Sequence, residues 1–269
     1  MISSFIHHYA SAIQLRTSLY MEVLRAKRFG NKLPVGINRK IMKEPQTHEE
    51  FIWLLRFIPT NADVNIIDIG GNSGYWAEEI MSYYVSSKVY GFEPVQEMYD
   101  QYKARFQFRN NVNIYNSALG DTVEEKLINV ARTYHLTSFK TYSNDLEEKN
   151  ENFTRQISVS IDKLDSYFSE FEFSDARKTI VKIDVQGYET YVIKGGLKVM
   201  DKADVAIIEC SFINEYKNQL PTFGELVTIL RELDLHPVCY GVWDRTRGPI
   251  AYERNVLFIK SKYFSSIWK

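Results

Sequence analysis

Cysteine is scarce in this sequence: only Cys210 and Cys239 occur, each in an apolar segment and neither in CxxC or His/Cys ligand spacing. That argues against a disulfide framework and against a metal site, and two buried free thiols suit a reducing, cytoplasmic setting. Long apolar runs are missing as well. None approaches the ~20 residues that cross a bilayer, and the opening MISSFIHHYASAIQLR has neither the basic start nor the unbroken apolar core of a leader. A soluble chain without a membrane span is expected. Charge of one sign is also lacking, because 33 Lys and Arg face 34 Asp and Glu for a net charge of −1. Without a global basic field, no nucleic-acid partner is expected. No internal repeat or low-complexity tract appears, and 269 residues with 45% hydrophobic content suffice for one core-bearing domain with a terminal extension.

What is present is organised around VNIIDIGGNSGYW, Val64 to Trp76. An apolar run ending in an acid and glycines reads as a buried parallel strand (64–69), a tight turn, and a helix starting near Gly74. Before it, residues 1–60 show helical periodicity. A capping-box pattern at Thr47 and Glu50 opens a helix over 47–57, and a basic connection runs from Arg25 to Lys43. After it, strands and helices alternate. Strands are expected at 88–93, 112–118, 179–184, 204–209, 236–243 and 255–259, and helices at 95–108, 188–200 and 222–235. This rhythm predicts an α/β fold with a mostly parallel sheet covered by helices on both faces. Residues 119–175 interrupt it with two short strands, 125–131 and 156–161, around a polar stretch, 137–152, and are expected to form an insertion over the active face.

The glycine turn is not a pyrophosphate fingerprint, because GxGxxG would need glycine at position 69, which is Ile69. Glu93 ends the second strand about 20 residues further on, the place of a carboxylate that takes a ribose diol. Acids recur at strand ends: Asp68, Glu93, Asp184 and Glu209. Such a row repels a polyphosphate and suits a ligand with sulfonium and ammonium groups, as S-adenosylmethionine has.

In order, IDIGGNSGYW, VYGFEP, NVNIYNSALGD, ISVSIDKLD, VKIDVQGYETYVIKGG and ADVAIIE resemble the FkbM family of S-adenosylmethionine-dependent methyltransferases over residues 64–210. The resemblance implies a class I methyltransferase (Rossmann-like) fold with seven strands in the order 3-2-1-4-5-7-6, only strand 7 antiparallel. It also implies O-methylation of a sugar, glycan or other small hydroxylated metabolite. The domain would span 61–269 behind an N-terminal helical extension, 1–60, through which a homodimer could form. By the same resemblance Asp68, Gly70, Asn72 and Gly74 cradle the methionine moiety, Glu93 holds the ribose, Pro94 shapes the next turn, and Ser117 and Ala118 lie at the adenine edge. Tyr75 and Trp76 would start a helix beside cofactor or substrate, although Trp76 also suits core packing and Ser117 a simple turn.

An alcohol acceptor needs a base. Asp184 is the first candidate and His135, in the insertion, the second. Gln186 stands where the family more often has an acid, and an amide cannot take a proton. Glu189 suits either function or the helix dipole. The other readings are a methyltransferase acting on a macromolecule and a non-catalytic, cofactor-binding scaffold of the same fold. No metal is expected, and the sequence leaves the acceptor unnamed.

Overall fold

The computed structural model describes residues 54–142, 150–212, 217, 222–240 and 253–267, and this fold lies in a compact unit, Glu49–Ser266. The N-terminal helices, the basic connection, the capping box at Thr47 and any dimer contact through them lie outside the described residues; only 54–57 of that region are described, as helix. Five helices and seven strands build the main layer: β1 (Asp63–Ile69), α1 (Tyr75–Tyr83), β2 (Ser87–Phe92), α2 (Gln96–Arg105), β3 (Val112–Tyr115), then β7 (Arg177–Ile183), α3 (Glu189–Gly195), α4 (Leu197–Lys202), β8 (Val205–Ser211), α5 (Thr222–Glu232), β9 (Leu235–Tyr240) and β10 (Glu253–Lys260), before a short terminal α6 (Phe264–Ile267). The strands lie in the order β3-β2-β1-β7-β8-β10-β9. β1 pairs in parallel with β2 and β7, and β10 runs antiparallel to both β8 and β9. Counted along the chain, this is the 3-2-1-4-5-7-6 order expected from the sequence.

Burial explains the sequence of the central strands. Ile66, Ile67 and Ile69 of β1, Ile180, Val181 and Ile183 of β7, and Ile207 and Ile208 of β8 are all 0–1% exposed. Each such side chain contributes roughly 1.5–3 kcal/mol of burial free energy. A strand covered on both faces reads as a continuous apolar run rather than an alternation, so the polar exceptions stand out. Among them are Asn65 and Asp68 at 0%, Thr179 at 1% and Lys182 at 5% exposed, of which Asp68 and Lys182 are charged residue types.

Two expected elements are broken, each for a visible reason. The strand expected over 112–118 ends at Tyr115 and resumes as the two-residue β4 (Ala118–Leu119) in a different sheet. Between them Asn116 Nδ2 donates to the carbonyls of Glu93 (3.0 Å) and Pro94 (3.1 Å), which turns the chain off the main sheet. The helix expected over 188–200 divides into α3 and α4 at Gly195 and Gly196, where a side chain would meet Gly120 O and Leu164 respectively. The insertion is a three-stranded sheet, β4-β6-β5, in which β5 (Glu124–Ala131) runs antiparallel and β4 parallel to β6 (Phe153–Asp162).

Candidate active site

The registers Ile69↔Phe92, Ile69↔Ile183 and Ile183↔Ile208 bring the four central strands to a common level. The next residues, Glu93, Gly70, Asp184 and Glu209, therefore form one row along the carboxyl edge, where open α/β sheets bind ligands. Backbone bonds carry the ladder into that row, from Gly70 N–H to Phe92 O (3.0 Å) and from Asp184 N–H to Ile69 O (3.1 Å).

Three residues of the turn after β1 have positive φ: Gly70 (75°), Asn72 (51°) and Gly74 (81°). At Gly70 a Cβ would overlap Asp184 O, so the loop lies flat against the start of the β7–α3 connection. The other glycines answer to a different neighbour. A Cβ at Gly71, Gly74 or Gly91 would run into the ring of Tyr102, which is fully buried on α2. The Tyr102 hydroxyl donates to Asp68 Oδ2 at 2.8 Å, while Asp68 Oδ1 is buried with no hydrogen-bond partner among the described residues. Burial raises the Asp68 pKa against the opposing pull of Lys182 and Tyr102. Tyr102 lies outside every expected motif, 34 residues from its partner.

Glu93 is 6% exposed and held from two sides, its Oε2 accepting from Asn72 N–H (2.8 Å) and its Oε1 from Val95 N–H (2.9 Å). Burial pushes its pKa up to about 7 in spite of those two bonds. Asn72 thus meets Glu93 through its backbone, and its own Oδ1 accepts from Ser73 N–H. Pro94 is half-buried at the turn. Ser117 and Ala118 are 4% and 5% exposed, and Ser117 Oγ donates to Asp162 Oδ2 at 2.9 Å. Tyr75 is 65% exposed with the Arg105 guanidinium 3.5 Å above its ring, so that face is occupied by protein. Trp76 is buried, with Lys182 Nζ 5.6 Å from its ring centroid.

At the other end of the row Lys182 Nζ meets Asp184 Oδ2 at 3.0 Å. Burial would strip the Lys182 proton, but the charges of Asp184 and Asp68 outweigh it and raise the pKa. Burial likewise opposes ionisation of Asp184, yet Lys182 and the Gln186 amide hold its carboxyl below the usual range. Gln186, itself at φ 52°, donates through Nε2 to Asp184 Oδ1 (3.2 Å) and to Glu209 Oε2. Burial and then the Asp184 charge drive the Glu209 pKa well up. The amide at 186 thus sits between two carboxylates, where an acid would add a third charge. Glu189 Oε1 accepts from Val185 N–H (3.2 Å) and Gly187 N–H (3.1 Å), tying its own helix start, and burial raises its pKa to about 7. Lys182 is none of the acids and glycines that the motifs single out, although a lone lysine inside the apolar run TIVKID is a visible signal. His135 is exposed on a 3-10 turn, Tyr134–Leu136, and its ring has no hydrogen bond or ion pair among the described residues. Among the described residues no group of three or more His, Cys, Asp and Glu is placed to hold a metal ion, and no helix is long and apolar enough to cross a membrane.

The chain is similar to several solved structures. The FkbM methyltransferase of Methylobacillus flagellatus shares 12% identity over 74% of this chain and 44% of its own, with a TM-score of 0.46, so this chain spans less than half of that structure. Aeropyrum pernix fibrillarin with natively bound S-adenosyl-L-methionine shares 10% over 78% and 74%, TM-score 0.46. The N-methyltransferase NodS of Bradyrhizobium japonicum in complex with S-adenosyl-L-homocysteine shares 10% over 79% and 86%, TM-score 0.42. No curated protein matches the chain. The model of the family described as Methyltransferase FkbM domain matches residues 68–235, from Asp68, next to last in β1, to Leu235, the first residue of β9. That match covers more than half of the 269 residues. The chain belongs to the FkbM methyltransferase family.

Proposed function

We propose that this protein methylates a hydroxyl of a sugar, glycan or other small metabolite, with 61–269 as the catalytic domain and 1–60 as a helical extension. The observation that carries the site assignment is the Glu93 carboxylate. Each oxygen takes one backbone N–H from Asn72 or Val95 and keeps a lone pair, so the group is oriented and still able to accept two ribose hydroxyls. Asp68 Oδ1, buried without a donor, is an acceptor left for a ligand N–H. Five buried or half-buried carboxyl groups, Asp68, Glu93, Asp184, Glu189 and Glu209, gather near one buried cation, Lys182, among the described residues. Burial raises the pKa of all but Asp184, and a positively charged ligand beside them would favour their ionised forms.

S-adenosylmethionine, when bound, supplies an electrophilic methyl group on a sulfonium. The protein's part is to place an acceptor oxygen in line, exclude water and take the hydroxyl proton. Asp184 is the carboxylate suited to that: its side chain is 29% exposed, hence reachable, and Lys182 keeps it ionised. Gln186 holds it through Oδ1. The exposed His135 ring, with no group to orient it, is the weaker candidate. The buried thiol of Cys210 agrees with a cytoplasmic setting.

Transfer of a labelled methyl group from S-adenosylmethionine to a panel of hydroxylated sugars and metabolites tests this reading. Transfer to oxygen is expected from the native chain. Asp184→Asn should bind donor within a few-fold of native and turn over at least ~100-fold more slowly, in line with the loss of a positioned base. Donor binding without transfer to any small acceptor would point to a macromolecular acceptor or a scaffold, and near-normal rates in Asp184→Asn would remove it as the base.

A further inference from the structure

Asp184 does not stand alone at its end of the row. β7 and β8 run side by side with Ile183 opposite Ile208, so the residues that follow, Asp184 and Glu209, leave adjacent strands at one level. The connection after β7 returns between them. Gln186, 8% exposed and at φ 52°, donates through Nε2 to Asp184 Oδ1 at 3.2 Å and to Glu209 Oε2, spending one N–H on each carboxyl group. The two carboxyl groups are also hydrogen-bonded to each other. Carboxylates only accept, so that bond needs one proton held between the two.

The surroundings decide which group holds it. Burial opposes ionisation of both, but Asp184 has a cation in contact, Lys182 Nζ at 3.0 Å from Oδ2. Glu209 faces acids instead: after burial, the charges of Asp184 on β7, Glu253 on β10 and Glu189 on α3 all oppose its ionisation. Arg254 of β10 lies opposite Cys210, and its Nη1 is turned to Glu253 O at 2.7 Å. The Cys210 thiol beside Glu209 is kept neutral by burial, and Asp68 acts on the pair through Lys182. Two carboxyl groups that share a site do not both ionise, and the one without the cation keeps the proton.

Resting on the reading of Asp184 as the base, we infer that Glu209 keeps its proton and donates it as a hydrogen bond to the Asp184 carboxylate, which makes Glu209 a positioning residue for that base. Lys182, Gln186 and Glu209 then supply three donors to a carboxylate with about four lone-pair sites, and the fourth is left for the acceptor hydroxyl. During methyl transfer the acceptor O–H bond breaks and its proton passes to Asp184, while Glu209 begins and ends the step protonated.

Nuclear magnetic resonance titration of the full chain, with 13C-labelled aspartate and glutamate carboxyl carbons, tests this without any acceptor. Asp184 should titrate below the ordinary aspartate range and Glu209 well above the ordinary glutamate range. Glu209→Gln retains an N–H donor and should leave the Asp184 titration in place, whereas Glu209→Met removes the donor and should shift it upward. If Glu209 were ionised, both substitutions would delete a negative charge and move the Asp184 titration down, and that sign would overturn the inference. Circular dichroism checks that both variants fold. On any hydroxylated acceptor that the native chain methylates, Glu209→Met should lower kcat ~10-fold or more, the range for a hydrogen bond to a charged group. KM should change less, the acid limb of the pH–rate profile should move upward, and Glu209→Gln should restore most of the rate. A native kcat and profile in Glu209→Met would remove the positioning role. Absence of transfer to every acceptor would count against Asp184 as the base, and the titrations would still decide where the proton lies.

Discussion

At the scale of single residues, Glu93 links the sequence to the chemistry most directly. Its two oxygens are spent halfway, one bond each, on Asn72 and Val95. Glu93→Ala should weaken S-adenosylmethionine by roughly 10- to 100-fold, the range for losing hydrogen bonds to a charged acceptor, and calorimetry showing unchanged affinity would refute the ribose assignment. Because burial sets its pKa at about 7, the ionised acceptor fills in only as the pH rises. Donor affinity is therefore expected to increase between pH 6 and 8, and Glu93→Gln should flatten that rise. Asp68, Glu93 and Asp184 were legible in the sequence because each ends an apolar strand, a position set by local pattern alone. Tyr102 was not, since its role depends on packing against a residue 34 positions away.

At the scale of elements, α2 does more than connect two strands. Through Tyr102 it fills the space under the glycine turn, and the small residues at 71, 74 and 91 accommodate that ring. Gly71 is thus explained by an internal side chain, Gly74 by that ring and its own positive φ, and Gly70 by its positive φ and by the nearness of Asp184 O. At Gly91 a Cβ would lie 2.7 Å from Tyr102 Cζ and Oη. Gly91→Ala should consequently destabilise the native chain much more than it does a Tyr102→Leu background, and a double-mutant cycle in denaturant should give a coupling of ~0.5–3 kcal/mol. Additive effects would show that the ring and the glycine are independent. The alternation of elements was readable from hydrophobic pattern, and the strand order from the family resemblance. The breaks at Asn116–Ser117 and Gly195–Gly196 were not, because side-chain bonds and close backbone packing decide them.

For the whole molecule, the crowd of buried acids shapes the pH dependence of folding. Glu93 and Glu189 have folded pKa values of about 7 against an ordinary 4.5. The folded chain binds more protons in that window, so their contribution is fully present below about 4.5 and is lost as pH rises through about 7. Asp184 and Asp234, held below the usual range, act in the other direction and contribute less as acid protonates them. The ligand-free protein should melt highest near pH ~4–5, and a scanning-calorimetry series with a maximum above pH 7 would contradict this balance. The joint between the two sheets has a further consequence. β4 is only two residues long, Ala118 and Leu119, and together with the bonds of Ser117 Oγ to Asp162 Oδ2 and of Gly120 N–H to Asp162 O it joins the insertion's sheet to the chain leaving β3. So short a ladder opens easily by local unfolding, and a nucleoside held by Glu93, whose carbonyl accepts from Asn116, would brace the chain that leads into it. Amide hydrogen exchange in 153–162 should therefore slow when S-adenosylhomocysteine is added, as the ligand clasps two sheets into one cooperative unit.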